Sequence, residues 1–486
     1  MSEHAGKAAS GHPLLYDPGE MAAAMGADLR GAPGDICGIS IDSRTLKPND
    51  AFFAITGEAS DGHTYVEKAL AKGAAVAVVA RDRASSFPAD APLMLVDDVL
   101  GALNALARHA RARSSARIVA ITGSVGKTTT KEALRAALSA DGETHASAAS
   151  YNNHWGVPLS LARLSRSARY GVFEIGMNHP GEITPLVKLV RPHVVLITTV
   201  DAAHLAQFSG IEEIADAKAE IFDGLEAGGT AVLNLDNPQF ARLKAAAKTK
   251  GVSHIVTFGA AEGADVHLKS LTLQPGCSVA TADILGTPLT FKAALPGRHI
   301  VQNMLGVLAA VKLLGADLAL AALELGRIRP PQGRGVPVRL DLGSGEAMLI
   351  DESYNANPAS MRAALEVLGQ LETGPRGRRI AVLGDMLELG PQSEALHAAI
   401  AEDIRANRID LVFCSGALMH ALWQALPPER RGGYAHDAHH LEPMLASAIR
   451  AGDTLMVKGS NGSRMGLLVK ALSERFRAQS DALAEG

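Results

Sequence analysis

The chain has 486 residues, 47% of them hydrophobic, which at roughly 150 residues per domain gives three buried cores and excludes a single small binding module. Lys+Arg 47 against Asp+Glu 51 leaves a net charge of -4, so no global positive field draws nucleic acid or an anionic membrane surface, and neither partner is expected. Cys37, Cys277 and Cys414 stand far apart with no CxxC pair, which argues against a disulfide framework and a thiolate zinc site and points to a reducing compartment.

The first twenty residues hold no continuous apolar stretch of the kind a secretory signal needs. The longest apolar region, Met304 to Leu325, is broken by Lys312, Asp317 and Glu324, so no membrane insertion is expected and the protein is placed in the cytoplasm. Short apolar runs at 74–80, 117–122, 194–200, 230–236, 379–385, 411–416 and 454–460 alternate with Ala/Leu-rich helical segments. That alternation predicts an α/β fold of parallel sheets with helices on both faces and ligands at the carboxyl ends of the strands. The charged stretch RHARARSSAR (108–117) reads as a linker, and GRIRPPQGRGVP (326–337) cannot continue a helix. These mark domains at 1–113, 114–327 and 328–486.

Residues 117–138, RIVAITGSVGKTTTKEALRAAL, read as a buried strand, a glycine turn, Lys, three threonines and an amphipathic helix. Such a loop aims backbone N–H groups at phosphate oxygens, and the helix N-terminus adds a favourable dipole. Lys127 would reach the β/γ-phosphates and Thr128 would offer its hydroxyl to Mg²⁺. Ile121 stands where the general motif has its first glycine, and Gly123 supplies the extra one, making a TGxxGKT variant. The chain therefore reads as a user of ATP or GTP.

Three residues downstream are candidate ligands. Glu174 ends an apolar strand (Val172, Phe173) before Ile175 and Gly176, which would bring a hard oxygen ligand for Mg²⁺ near the loop. His204 follows a strand and Lys218 lies on a helix; by residue type alone the first is as readily a core or surface histidine and the second a solvated cation.

With these pieces in order, the chain resembles the Mur ligase family, the ATP-dependent amide-bond ligases of peptidoglycan precursor synthesis, over nearly its whole length. The resemblance is carried by DSR (42–44) with DGHTYVEKALAKGA (61–74), TGSVGKTTTKE (122–132), YNNHWGVPLSL (151–161), EIGMNHPGEI (174–183), HLAQF with AKAEIF, PGRHIVQNMLGVLAA (296–310), QGRG (332–335) and DESYNANPASM (351–361). EIGMNHPGEI, SYNANPASM and GDMLELGPQSEALH are most similar to the member that adds D-alanyl-D-alanine to UDP-N-acetylmuramoyl-tripeptide. The member adding the third residue carries a YAHTPD-like stretch and a DNPR motif, which this chain lacks. The alternatives are a Mur-type ligase adding a single amino acid and a P-loop NTPase without ligase activity. Ile300 departs from the family, which often has Asn after the His of PGRH.

The resemblance implies a central P-loop ATPase domain between an N-terminal UDP-substrate domain and a C-terminal Rossmann-like domain that binds the dipeptide. It implies an acyl phosphate: the peptide carboxylate attacks the γ-phosphate, ADP leaves, and the dipeptide amine displaces phosphate. Gly123, Ser124, Val125, Gly126, Lys127, Thr128 and Thr129 would hold the triphosphate, with Thr128 and Glu174 on a first Mg²⁺. His204 would ligate a second, together with a carbamate formed on Lys218 by CO₂. Asn303 would contact adenine, Arg334 the phosphates and Asp351 the ribose region. Ser43 and Arg44 would lie near the uridine nucleotide. Asn152 and Asn153 would touch sugar or pyrophosphate, though Asn-Asn also starts turns. Tyr354, Asn355, Asn357 and Lys458 would meet the dipeptide, although Lys-Gly-Ser at 458–460 reads equally as a turn. A monomer is expected.

Overall fold

The structure, a computed structural model, describes residues 13–57, 60–148, 150–202, 205–274 and 276–476. Among these residues the strands form three sheets of five, nine and six strands, with helices packed on them. All seven apolar runs become strands, and their residues are almost fully buried, as in Val76–Ala80 and Arg117–Thr122. A parallel strand covered on both faces has no polar side to show, which is why these runs are continuous rather than alternating.

The nine-stranded sheet carries the phosphate loop. Its parallel part runs Thr144–Ala146, Tyr170–Glu174, Arg117–Thr122, Val194–Ile197, Thr230–Asn234 and His254–Gly259. Placing Arg117–Thr122 between Tyr170–Glu174 and Val194–Ile197 brings the loop, Glu174 and Thr198 to one edge. Beyond the parallel part the sheet continues as an antiparallel meander, Val266–Gln274, Cys277–Ile284 and Thr287–Ala293, which the expectation of parallel sheets did not include. The cause is local: Leu285 and Gly286 both have positive φ (52° and 83°), the conformation of a tight two-residue hairpin, and burial in Cys277–Ile284 largely alternates.

The stretch 108–117 differs from its linker reading. Helix Val99–Arg113 runs through it, and Arg111 is buried. Its Nε donates to the carbonyl of Val190 at 2.9 Å and its Nη2 to that of Arg191 at 2.8 Å, satisfying oxygens left open at the end of helix Ile183–Val190. Arg113 lies 4.1 Å over the Tyr16 ring, whose hydroxyl donates to the Ala162 carbonyl at 2.7 Å. Composition alone reads four arginines as solvated charge; here Arg111 stitches one unit to the next, and Arg113 packs on the tyrosine whose hydroxyl does the same. One apolar core runs through Ile39 and Phe53 of the first sheet, Leu103 and Leu106 of this helix, and Val157 and Ile118 of the second unit.

The six-stranded sheet is ordered Val336–Asp341, Glu346–Glu352, Thr454–Lys458, Arg379–Gly384, Leu411–Ser415, Arg431–Ala435, parallel except for the first hairpin. It is reached through the Pro/Gly segment and touches the central unit directly. Tyr354 Oη donates to Ser150 Oγ at 2.7 Å, Arg362 pairs with Asp201 at 3.6 Å, and Ala206 N–H donates to the Glu388 carbonyl at 3.0 Å. The region Met304 to Leu325 is divided by Gly315 (φ 75°) between helices Arg298–Leu313 and Leu318–Leu325. No helix among the described residues is long and apolar enough to cross a membrane.

Candidate active site

The chain leaves strand Arg117–Thr122 and enters helix Lys127–Ser139 through Gly123 (φ 152°) and Gly126 (φ 86°). A Cβ on Gly123 would sit 2.0 Å from Thr198 Oγ1, and one on Gly126 would sit 2.5 Å from Asn303 Nδ2, so both positions need glycine for space as well as for torsion. Thr198 Oγ1 donates to the Val125 carbonyl at 2.6 Å and Ser124 Oγ to the Asp201 carbonyl at 2.9 Å, fixing the loop from beneath. Lys127 Nζ folds back on the Gly123 carbonyl at 2.7 Å. Desolvation holds its pKa below the ordinary lysine value, with Glu174 opposing the shift and the Arg334 charge adding to it. Leu134 and Leu138 of the loop helix are buried, which anchors the helix to the sheet.

Glu174 is 1% exposed, the last residue of its strand. Thr128 Oγ1 donates to its Oε2 at 3.0 Å and Asn152 Nδ2 to its Oε1 at 2.7 Å. A buried carboxylate held by two donors is oriented rather than solvated, and with the Thr128 hydroxyl it makes a pair of hard oxygens at the mouth of the loop. Asn152 is thus tied to the carboxylate. Its neighbour Asn153 accepts from the Gly156 N–H at 3.0 Å, in the turn that precedes helix Gly156–Ala162.

Lys218 lies on helix Ile211–Ala219 and is 2% exposed, on the same buried face as Ile214 and Ala215. Burial, with the Lys127 charge adding to it, holds its pKa well below that of an ordinary lysine, and no hydrogen-bond partner for its ammonium occurs among the described residues. His204 lies outside the described residues.

From the third sheet, Arg334 sits in a turn between Gly333 (φ 74°) and Gly335 (φ 96°), its guanidinium carbon 4.2 Å over the Tyr354 ring. Lys458 is buried and donates to the Asn355 carbonyl at 3.0 Å and to Glu352 Oε2 at 3.3 Å. Asn355 Oδ1 accepts from the Ala356 N–H at 2.9 Å, and Asn357 caps helix Pro358–Gln370 in a capping box with Ser360. Both asparagines thus have their oxygens engaged with backbone. Asp351 is buried and accepts from the Ser353 N–H and hydroxyl at 3.1 and 2.6 Å.

A cavity of about 870 Å³ joins these parts. Ser124, Val125, Gly126, Lys127, Thr128, Thr129, Asn152, Glu174 and Asn303 line it from the central unit, and Arg334, Tyr354, Asn355, Asn357 and Lys458 from the third. Leu295, Ile300, Met348, Ile350 and Val367 make an apolar wall. A polar phosphate-facing end and an apolar end of this size suit a nucleotide. Ser43 and Arg44 do not line it: they lie in the loop after strand Gly38–Ser40, with Ser43 buried and Arg44 exposed and forked on Asp42 at 2.8 Å. Gly123, Asn153, Lys218 and Asp351 are likewise not among its lining residues.

Sequence reasoning missed Thr198, Ser150, His299 and Glu352, of which the last three line the cavity. Glu352 was the most legible. It follows Asp351 on strand Glu346–Glu352, where Met348, Ile350 and Glu352 share one face, so the cavity meets Glu352 and not its neighbour. Desolvation lowers the pKa of His299, Glu352 opposing the shift and Lys458 adding to it.

A phosphate loop facing a buried carboxylate, with an arginine brought across the cavity from a separate sheet, is the site of an enzyme that gathers negative charge between two domains. The chain belongs to the Mur ligase family: family models for its catalytic domain, middle domain and glutamate ligase domain match residues 35–111, 121–311 and 339–461. Among curated relatives it is 35% identical to the UDP-N-acetylmuramoyl-tripeptide--D-alanyl-D-alanine ligase of Escherichia coli (strain K12), over 93% of this chain and 96% of that one. Among solved structures it is similar to MurF from Acinetobacter baumannii (TM-score 0.81, 30% identity, 93% of this chain and 98% of that one). MurF ligase from Thermotoga maritima in complex with ADP is also similar (TM-score 0.74, 25% identity, 90% and 97% covered).

Proposed function

We propose that the chain joins D-alanyl-D-alanine to UDP-N-acetylmuramoyl-tripeptide, with cleavage of ATP to ADP and phosphate. One observation carries the reading: the phosphate loop with its Thr128–Glu174 pair and Arg334 of the third sheet face one cavity, in a chain matching a ligase of that name over 93% of its length. A carboxylate is a poor electrophile. An oxygen of the tripeptide carboxylate attacks the γ-phosphorus and ADP leaves; the dipeptide amine then attacks the acyl carbon, sheds a proton, and phosphate leaves. Both steps concentrate negative charge, so oriented cations and N–H donors supply most of the catalysis.

The loop amides from Gly123 to Thr129 bind the triphosphate, Lys127 swings from the Gly123 carbonyl to the γ-phosphate, and Arg334 meets the same charge from the other side. Asn303 and the apolar wall receive adenine. The hydroxyl of Thr128 and carboxylate of Glu174, 3.0 Å apart, are the donor chemistry that Mg²⁺ accepts alongside nucleotide phosphates. Held by these two oxygens, Mg²⁺ would supply neutralisation of charge on the transferring group. Asn152 keeps Glu174 in place. Burial disfavours the charged form of the Lys218 amine, which favours addition of CO₂ with loss of a proton, and the carbamate would give anionic oxygens for a second Mg²⁺ with His204. Residues 1–113, with Ser43 and Arg44, bind the UDP end, 114–327 the ATP, and 328–486 the dipeptide, where Lys458 offers its charge to the carboxylate. The cysteine usage supports the cytoplasm.

The test is phosphate release across a matrix of UDP-muramoyl peptides and amino-acid or dipeptide acceptors. Release requiring both the UDP-tripeptide and D-alanyl-D-alanine is expected. Turnover with ATP alone would favour an NTPase, and turnover with D-glutamate or diaminopimelate another step of the pathway.

A further inference from the structure

Tyr354 makes three contacts that no dipeptide-binding role requires. Its N–H donates to the Gly333 carbonyl at 3.1 Å, its ring lies beneath the Arg334 guanidinium, and its hydroxyl crosses to Ser150 Oγ, 204 positions earlier in the chain. The turn holding Arg334 is shaped around it: a Cβ on Gly333 would lie 2.9 Å from Tyr354 Cβ and 3.0 Å from its nitrogen. On the other side, the Ser150 carbonyl accepts from the Asn152 N–H at 2.8 Å, and Asn152 in turn donates its amide to Glu174. A continuous path therefore runs from Arg334 through Tyr354, Ser150 and Asn152 to Glu174 and Thr128, and the Tyr354–Ser150 hydrogen bond is its link between the two units.

Tyr354 is 37% exposed, so burial alone does not explain why so large a ring stands there. Stacking holds a guanidinium flat while leaving its N–H fork free for an anion. The hydroxyl donates across the domain boundary only when the third sheet is seated.

We propose that Tyr354 is a positioning residue that couples seating of the C-terminal domain to the phosphate site, holding Arg334 over the transferring phosphate and Ser150 against the loop that orients Glu174. The proposal rests on the ligase reading above. It predicts that Tyr354→Phe and Ser150→Ala each lower kcat about fivefold, the equivalent of about 1 kcal/mol for one neutral hydrogen bond, and that the double variant is no worse than either. KM for D-alanyl-D-alanine stays unchanged. Tyr354→Ala, which also removes the ring, lowers kcat further, and adds nothing in an Arg334→Ala background. Tyr354→Trp, which keeps a stacking face, recovers part of the loss.

Additive losses in the Tyr354→Phe/Ser150→Ala cycle, or a raised dipeptide KM with kcat kept, would overturn the proposal in favour of a dipeptide contact. A lowered melting temperature with normal kcat would reduce Tyr354 to a packing residue. The same cycles read on the ATP dissociation constant by titration calorimetry, without any acceptor, keep the two readings apart. Tyr354→Ala and Arg334→Ala should weaken ATP alike and without additivity; independent effects there would sink the coupling even if ligation is confirmed. Absent acceptor-dependent phosphate release in the unaltered protein would instead remove the ligase reading, leaving the coupling to be decided by calorimetry.

Discussion

Lys218→Met separates stability from activity at one atom. The side chain is 2% exposed, has no acceptor for its ammonium among the described residues, and lies in the field of Lys127. An unpaired buried polar group costs about 1–3 kcal/mol, and methionine fills nearly the same volume without that cost, so the variant should be more stable by about that amount in CO₂-free buffer. The folded chain binds the Lys218 proton more weakly than the unfolded chain, so stability from this group rises with pH toward 10.5. The gain on substitution is therefore largest on the acid side and fades as pH rises. Activity should move the other way, falling by about 100-fold or more if an anionic oxygen at this position holds a metal that supplies about 3 kcal/mol in the transition state. Urea unfolding followed by phosphate release measures both, and intact-protein mass in bicarbonate should show one added CO₂ on the native chain only. Short carboxylic acids should restore part of the activity of Lys218→Ala. A variant that is less stable and still active would refute the argument, because the lysine would then be a packing element.

Glu174→Gln keeps the shape but removes the charge shared by Thr128 and Asn152; kcat should fall about 100-fold or more with ATP binding largely retained, read by phosphate release and calorimetry. Gly123→Ala drives a methyl against Thr198 Oγ1 and should abolish nucleotide binding while the chain stays folded by circular dichroism. Burial pushes the His145 pKa down to about 4 from 6.5, with its bond to the Ser160 carbonyl opposing, so stability should fall as pH is lowered from 6.5 to 4, by up to about 3 kcal/mol; His145→Gln should flatten that slope in urea titrations. Arg111→Ala leaves the Val190 and Arg191 carbonyls without their donor and should cost about 1–3 kcal/mol, seen as earlier unfolding of the first two units together.

The phosphate loop was fully legible in the sequence because it is a local device: strand, glycine turn, Lys-Thr and helix are consecutive, and their torsions follow from residue type. The seven buried strands were legible for the same reason, since a doubly covered strand must be apolar throughout. Motifs also named Glu174, Lys218 and Arg334, residues up to 207 positions from Lys127, but not how they meet. Order along the chain says nothing about which strand lies beside which. Only the placement of Arg117–Thr122 between Tyr170–Glu174 and Val194–Ile197 brings Glu174 to Thr128 and Thr198 under the loop. Composition misread 108–117, because an arginine that satisfies carbonyls at a helix end has the same letter as one in water. Strand parity decided between Asp351 and Glu352, since adjacent residues point to opposite faces and only the assembled sheet fixes which face meets the cavity. The chemistry was thus written in residue types, while the contacts that orient it, Tyr354 on Ser150 and Asn152 on Glu174, exist only where two distant segments close to within a hydrogen bond.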